Sequence, residues 1–318
     1  MVCIIKAQVS TLKFDYRVNV KIPDELDHLE KIQVDLSALF ASSNALLDHC
    51  VEMITMHPEN ISRKQINDEI VRYRTSHAIC IKACKTFRAS IALTSVGSED
   101  ELNILSRTLF ETFVALNFVL QEKLEISKRI GEVSPELRAK LYLAHGILKR
   151  RMKMHELKTD PSWNSVQIPN EAIIEANANQ AVADIGEDWA KRLTSGAKTY
   201  STLSLRDLIS RFDEPAYNYW YNFLYSDQSQ IVHASDPTSH FGYDNESSRF
   251  MATWFGSTRN LGMSLGTNGL LLYGCFCKLH EYCSFSEDVV GELNQLGACI
   301  QICFDECFQS SKSESSKQ

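Results

Sequence analysis

The sequence predicts an all-α fold, a multi-helix bundle with a small amino-terminal β hairpin. Apolar residues recur at three- and four-residue steps through most of residues 23–309, a period-two alternation is confined to residues 1–22, and a 44% hydrophobic content over 318 residues suffices for a large core.

Phe14 to Ile22 alternate apolar and polar side chains, the pattern of a half-buried strand, and Val2 to Val9 can supply its hairpin partner. Past Pro23 the period lengthens. Leu29, Ile32, Leu36, Leu39, Phe40, Leu46, Leu47, Val51 and Ile54 trace a helical face that stops before Pro58. A second long helix is expected over 62–95, with Tyr73, His77, Cys80, Cys84, Phe87 and Ile91 among its apolar side and Gly97 ending it. Ser98-Glu99-Asp100-Glu101 reads as a capping box that opens a third helix to about Gln121, apolar on most sides and therefore central. Ser134-Pro135 reads as the cap and first-turn proline of a charged helix to about Leu157. Residues 158–169, with Asp160-Pro161, form the expected internal loop. Further helices are expected at about 170–193, 205–212, 215–235, 247–282 and 286–309, before a Ser/Lys-rich disordered tail at 310–318.

A formal charge of -7 excludes a protein that coats nucleic acid by bulk attraction, although a local basic face can still grip phosphates. The amino terminus lacks a basic region followed by an apolar block and a small-residue cleavage site, so a cytoplasmic location is expected. Ten cysteines then read as reduced thiols, with Cys80/Cys84 and Cys299/Cys303/Cys307 at the four-residue step of a helix's inner face. No charge interrupts the stretch between Arg259 and Lys278, and Gly262 and Gly266 form a small-x-x-x-small pair. Asn260, Ser264, Thr267 and Asn268 make it a poor lipid-facing span, so it is expected as a buried helix whose glycines permit close helix approach, a dimer interface among the options. Cys275, Cys277, His280 and Cys283 lie within nine positions, but neither a Cys-x2-Cys knuckle nor a His-Glu-x-x-His helix occurs, and no metal is expected. Glycine-rich phosphate loops are absent as well, and no cofactor is expected.

Two helical turns concentrate the polar chemistry. Arg107-x-x-x-Glu111 lies among Leu105, Leu109, Phe110 and Phe113, which leaves the pair little access to water, so the two should bond to each other or to another helix. Tyr217, Tyr221 and Tyr225 recur every four residues, and the same step continues through Ser229 and His233, bringing a hydroxyl and an imidazole within hydrogen-bonding reach. His233 suits general acid/base work near neutral pH. Lys149, Arg150, Arg151 and Lys153 form the densest basic run, either a solvated helix face or a nucleic-acid-binding one.

The segment Ser106 to Glu111, followed a hundred residues later by Tyr225 and Ser229 to Ser235, resembles an uncharacterised family of helical prokaryotic proteins known as a domain of unknown function. That resemblance marks Arg107, Glu111, Ser229 and His233 as important without assigning them an activity. A looser resemblance is to HEPN-type proteins, helical bundles that are often metal-independent ribonucleases of toxin and phage-defence systems, marked by Arg followed after four to six residues by His. Arg72-x4-His77, Arg138-x6-His145 and Arg150-x4-His155 fit that spacing. None of them coincides with Arg107 or His233, so the likeness implies the same chemistry only where those two converge from separate helices.

The resulting expectation is a HEPN-like, metal-independent ribonuclease or toxin-type effector in phage defence. In it His233 is the general acid/base, Arg107 stabilises phosphorane charge, Glu111 holds Arg107 and Ser229 orients His233. The alternative is a non-catalytic interaction or sensor module whose polar residues lock helix register. The expected partners are a second copy of the chain, RNA, and a protein of a defence or toxin system, with no membrane.

Overall fold

Residues 25–55, 69–127, 131–160, 162, 170–195, 199–212, 216–222, 224, 241–244, 249–252 and 258–315 are described by a computed structural model. The expected amino-terminal hairpin and most of the 158–169 loop lie outside them. In chain order the elements are α1 (Glu25–Asp35), α2 (Ser37–Thr55), α3 (Ile70–Ser95), α4 (Glu99–Leu120), β1 (Glu125–Ser127), β2 (Gly131–Glu132), α5 (Pro135–Thr159), α6 (Glu171–Ile185) and α7 (Glu187–Thr194). They continue with α8 (Leu205–Ile209), α9 (Ala216–Tyr221), β3 (Phe241–Asp244), β4 (Arg249–Ala252), α10 (Thr258–Cys283) and α11 (Glu287–Ser315). The protein is an all-α bundle whose described strands form two small antiparallel hairpins, β1 with β2 and β3 with β4.

At the centre α3, α4 and α10 pack against one another, with α2 and α11 on one side and α5, carrying α6 and α7, on the other. Leu102, Leu109, Phe110, Val114, Leu116, Phe118 and Val119 of α4 are all fully buried, which makes α4 the central helix that its apolar run predicts. Cys50, Cys80, Cys84, Cys275 and Cys283 are buried free thiols among them, and burial pushes each thiol pKa up.

The glycines of α10 serve contacts within the chain. A Cβ at Gly266 would lie 3.0 Å from the Phe304 Cβ, one at Gly269 2.9 Å from Ile300, and one at Gly262 2.6 Å from the Cys307 sulfur. They let α11 seat closely on α10. Among the described residues no helix is long and apolar enough to cross a membrane.

Local signals set most boundaries. Gly97 takes φ 76°, and the Ser98 amide donates to the Leu93 carbonyl at 3.0 Å, which closes α3. The Ser134 hydroxyl accepts from the Leu137 amide at 3.3 Å and Pro135 opens α5. At α4 the expected capping box does not form, since the Ser98 side chain makes no cap bond; Glu99, Asp100 and Glu101 instead place negative charge against the helix dipole. The single helix expected over 170–193 is split by Gly186 at φ 83° into α6 and α7. The helix expected from 247 begins only at Thr258, because Arg249 to Ala252 pair with Phe241 to Asp244 as a ladder. With no glycine or proline after Gly297, α11 continues to Ser315, beyond the expected start of the tail at 310.

Two buried arginines finish α4. That helix has no basic residue in its own last turn, so its terminal carbonyls take donors from neighbours. Arg72, in the first turn of α3, donates to the Leu120 carbonyl at 2.6 Å, to Glu122 at 2.6 Å and to Glu69 at 3.1 Å. Arg138, in the first turn of α5 and fully buried, donates through Nε to the Phe118 carbonyl at 2.6 Å and through Nη1 to the Val133 carbonyl. Burial, and then the nearby Arg72, push the Arg138 guanidinium down to about 10.

Candidate functional site

Glu99, Asn103, Arg107 and Glu111 follow one another at four-residue steps and form a polar stripe that drifts slowly around α4. Its amino half is met by α10. The Asn260 amide donates to Glu99 at 2.9 Å and the Ser264 hydroxyl to Asn103 at 3.0 Å. These four residues, with Ser106, Met263, Thr267 and the buried Leu224, line a cleft of about 150 Å³. Tyr217 of α9 stacks on Phe113, in the middle of α4, with ring centroids 5.3 Å apart, and Leu224 lines the cleft together with Asn103 and Ser106, nearer the amino end of that helix.

The carboxyl half of the stripe departs from expectation. Arg107 Nε donates to Glu111 at 3.3 Å, but the two side chains are 21% and 46% exposed. The pair is not shut away from water, because α3 and α10 cover the other faces of α4 and leave the Ile104 to Glu111 flank outside; Ile104 itself is 43% exposed. Ser229, His233 and Tyr225 lie outside the described residues.

Beside that flank is a group that the sequence hardly signals. Tyr200 wedges between α4 and α5, its ring centroid 5.0 Å from Phe118, 5.1 Å from Tyr142 and 6.3 Å from His145. Its hydroxyl and the His145 Nε2 are both buried without a hydrogen-bond partner among the described residues. Burial pushes the Tyr200 phenol up, with further contributions from Tyr142 and Glu111, while burial and then Lys149 hold the His145 imidazole down and neutral. The four- and three-residue steps Arg138, Tyr142, His145, Lys149 are the pattern that could have shown this face of α5.

The three HEPN-spaced pairs have other occupations. Arg72 and Arg138 cap α4, His77 Nδ1 bonds the Tyr73 carbonyl at 2.9 Å, and His155 pairs with Glu175 at 2.8 Å. In the basic run, Lys149 and Lys153 lie one turn apart, whereas Arg150 and Arg151 project from other sides of α5 at about 100° per residue. Lys153 pairs with Glu156 at 3.2 Å. Among the described residues no group of three or more His, Cys, Asp or Glu side chains is arranged to hold a metal ion.

Against family models, one described as a family of unknown function, DUF5677, matches residues 73–248, more than half of the chain. That span contains Arg107, Glu111, Ser229 and His233, as the resemblance to an uncharacterised domain implied; it carries no support for the HEPN likeness. No curated protein and no solved structure matches the chain.

Proposed function

The chain belongs to the DUF5677 family, and from that premise we propose that it is a metal-independent ribonuclease, a toxin-type or phage-defence effector of the cytoplasm. In this reading His233 takes the proton of an RNA 2′-hydroxyl as that oxygen attacks the adjacent phosphorus. The imidazolium then returns the proton to the departing 5′-oxygen, leaving a 2′,3′-cyclic phosphate. Arg107 neutralises the phosphorane oxygens, Glu111 fixes its guanidinium, and Ser229 orients the imidazole.

Support comes from one observation, the course of the chain after α9. Leu224 sits in the cleft beside Asn103, one helical turn from Arg107. In sequence Ser229 follows that anchor by five residues and His233 by nine. RNA would be held by Lys149, Arg150, Arg151 and Lys153 on the neighbouring α5, and the same charged helix offers a homodimer contact, since the α10 glycines are taken by α11.

The purified protein should cut RNA in the presence of EDTA, and His233→Ala should abolish cutting with its circular dichroism and melting unchanged. Equal cleavage by that variant refutes the assignment. The solvent access of Arg107 and Glu111 favours a second reading, a non-catalytic interaction or sensor module that binds a protein partner through this flank. Two measurements separate them: absence of RNA cleavage by the parent, with partner binding lost in Arg107→Ala, points to the module.

A further inference from the structure

The cleft between α4 and α10, one helical turn from Arg107, is polar with little charge. Among the described residues no cation lines it, and its one carboxylate, Glu99, takes the Asn260 amide at 2.9 Å. Its wall also holds a buried hydroxyl with nothing to bond. Thr267 is 1% exposed, and its Oγ1 has no hydrogen-bond partner among the described residues. An unsatisfied buried group of this kind costs free energy that a ligand supplying the partner returns.

The neighbouring hydroxyls have already given their protons away. Ser106 donates to the Leu102 carbonyl at 3.0 Å and Ser264 to Asn103 Oδ1 at 3.0 Å, so what each retains is lone pairs. The cleft therefore suits a ligand with an N–H group for the serine oxygens and an acceptor for the Thr267 hydroxyl. Size narrows the choice further. At about 150 Å³ it is smaller than the pockets of about 300–1,000 Å³ that hold larger ligands, and has room for a single six-membered ring. Leu224 and Met263 supply apolar surface for the faces of such a ring, and a thioether is a favourable neighbour for an aromatic one.

We infer that this cleft seats a cytosine base of the RNA strand. The exocyclic amine of the base donates to the Ser106 and Ser264 oxygens, and Thr267 donates to its ring acceptor, edge contacts of the kind that read an unstacked base. Uracil presents a carbonyl oxygen where cytosine has its amine, against hydroxyls with no proton left to give. Asn103 and Arg107 are one turn apart on α4, about 5–6 Å between their Cβ atoms, so a base held in the cleft brings its phosphate toward the guanidinium. That the base belongs to a strand to be cut rests on the ribonuclease reading; its recognition by the cleft does not.

The test is a saturation-transfer NMR titration of the full chain with the 3′-monophosphates of cytidine, uridine and adenosine, which share one phosphate and differ in the base. The cytidine nucleotide should bind about tenfold tighter than the other two, the discrimination expected when a buried hydrogen bond is left unmade. Thr267→Val, which keeps the shape of the side chain, should bring the three to within about twofold of one another. Its melting temperature should stay at or above that of the parent, because the hydroxyl it removes is unbonded in the free protein. Equal binding of the three nucleotides, a preference for uridine or adenosine, or undiminished discrimination by Thr267→Val overturns the inference. Cutting of RNA is read separately. Cleavage with no preference for sites at cytidine overturns the inference and leaves the ribonuclease reading standing; discrimination among the nucleotides by a chain that cuts no RNA overturns that reading and leaves the base site standing.

Discussion

Replacing Gly266 and Gly146 by alanine, one at a time, tests how α10 meets α11. Both glycines lie inside helices, where alanine is preferred by about 1 kcal/mol. At Gly146 of α5 a Cβ meets nothing within 4 Å, so Gly146→Ala should gain that full amount, about 1 kcal/mol. At Gly266 the added atom falls 3.0 Å from the Phe304 Cβ and 3.5 Å from its Cα. Those atoms cannot rotate away, so the two helices must part, and overpacking of this kind costs about 1–3 kcal/mol. Subtracting the propensity gain leaves Gly266→Ala between parent-like and about 2 kcal/mol less stable, and about 1–3 kcal/mol below Gly146→Ala. Urea unfolding followed by far-ultraviolet circular dichroism resolves a difference of that size when the slopes agree. If Gly266→Ala gains as much as Gly146→Ala, α11 is not seated on this face of α10.

Four further outcomes follow from the same contacts. Arg138→Met strands the buried carbonyls of Phe118 and Val133; at about 1–3 kcal/mol for each unsatisfied acceptor, less the relief of burying no cation, urea unfolding should show a loss of about 2–4 kcal/mol, and parent-like stability would make the cap dispensable. Glu111→Gln removes the charge of an i,i+4 pair worth about 0.3–0.5 kcal/mol at a side chain that is 46% exposed, so the melting temperature should scarcely move; a large drop would mean that the pair is enclosed. Burial holds His77, and burial with Lys149 holds His145, below the ordinary 6.5, so between the folded values and 6.5 the unfolded chain carries more protons. Stability should therefore fall on acidification below about pH 6.5, by at most about 1.4 kcal/mol per pH unit for each histidine, and His145→Asn should flatten the slope of a pH series. Under native conditions a thiol reagent should modify exposed Cys299 quickly and Cys50, Cys80, Cys84, Cys275 and Cys283 only on unfolding, as peptide mapping would show.

What the sequence made legible was what neighbours in sequence decide. The ends of α3 and α5 follow from Gly97 and from Ser134-Pro135, which act through their own backbone, and the apolar run of α4 correctly implied a central helix. The Ser98 cap failed because the same residues also satisfy a helix start through charge alone. Arg249 to Ala252 were too short a run to tell strand from helix, and the ladder with Phe241 to Asp244 decides it. Periodicity shows that Arg107 and Glu111 share a face, but which face stays wet depends on where α3 and α10 dock. Gly262 and Gly266 announced a close approach without naming α11 as the partner. Arg72 and Arg138 were hardest to read, for their partners are carbonyls of another helix, and carbonyls leave no mark in a sequence.

The borrowed caps on α4 have a consequence for how the bundle comes apart. A final turn normally frays first, since its carbonyls can return to water at little expense. Here the groups that hold Phe118 and Leu120 belong to the opening turns of α5 and α3, so loosening any one of these ends strips bonds from the others. Amide hydrogens from Val119 to Gln121 should accordingly exchange with deuterium as slowly as those at mid-helix, in a single opening event that releases three helix ends together.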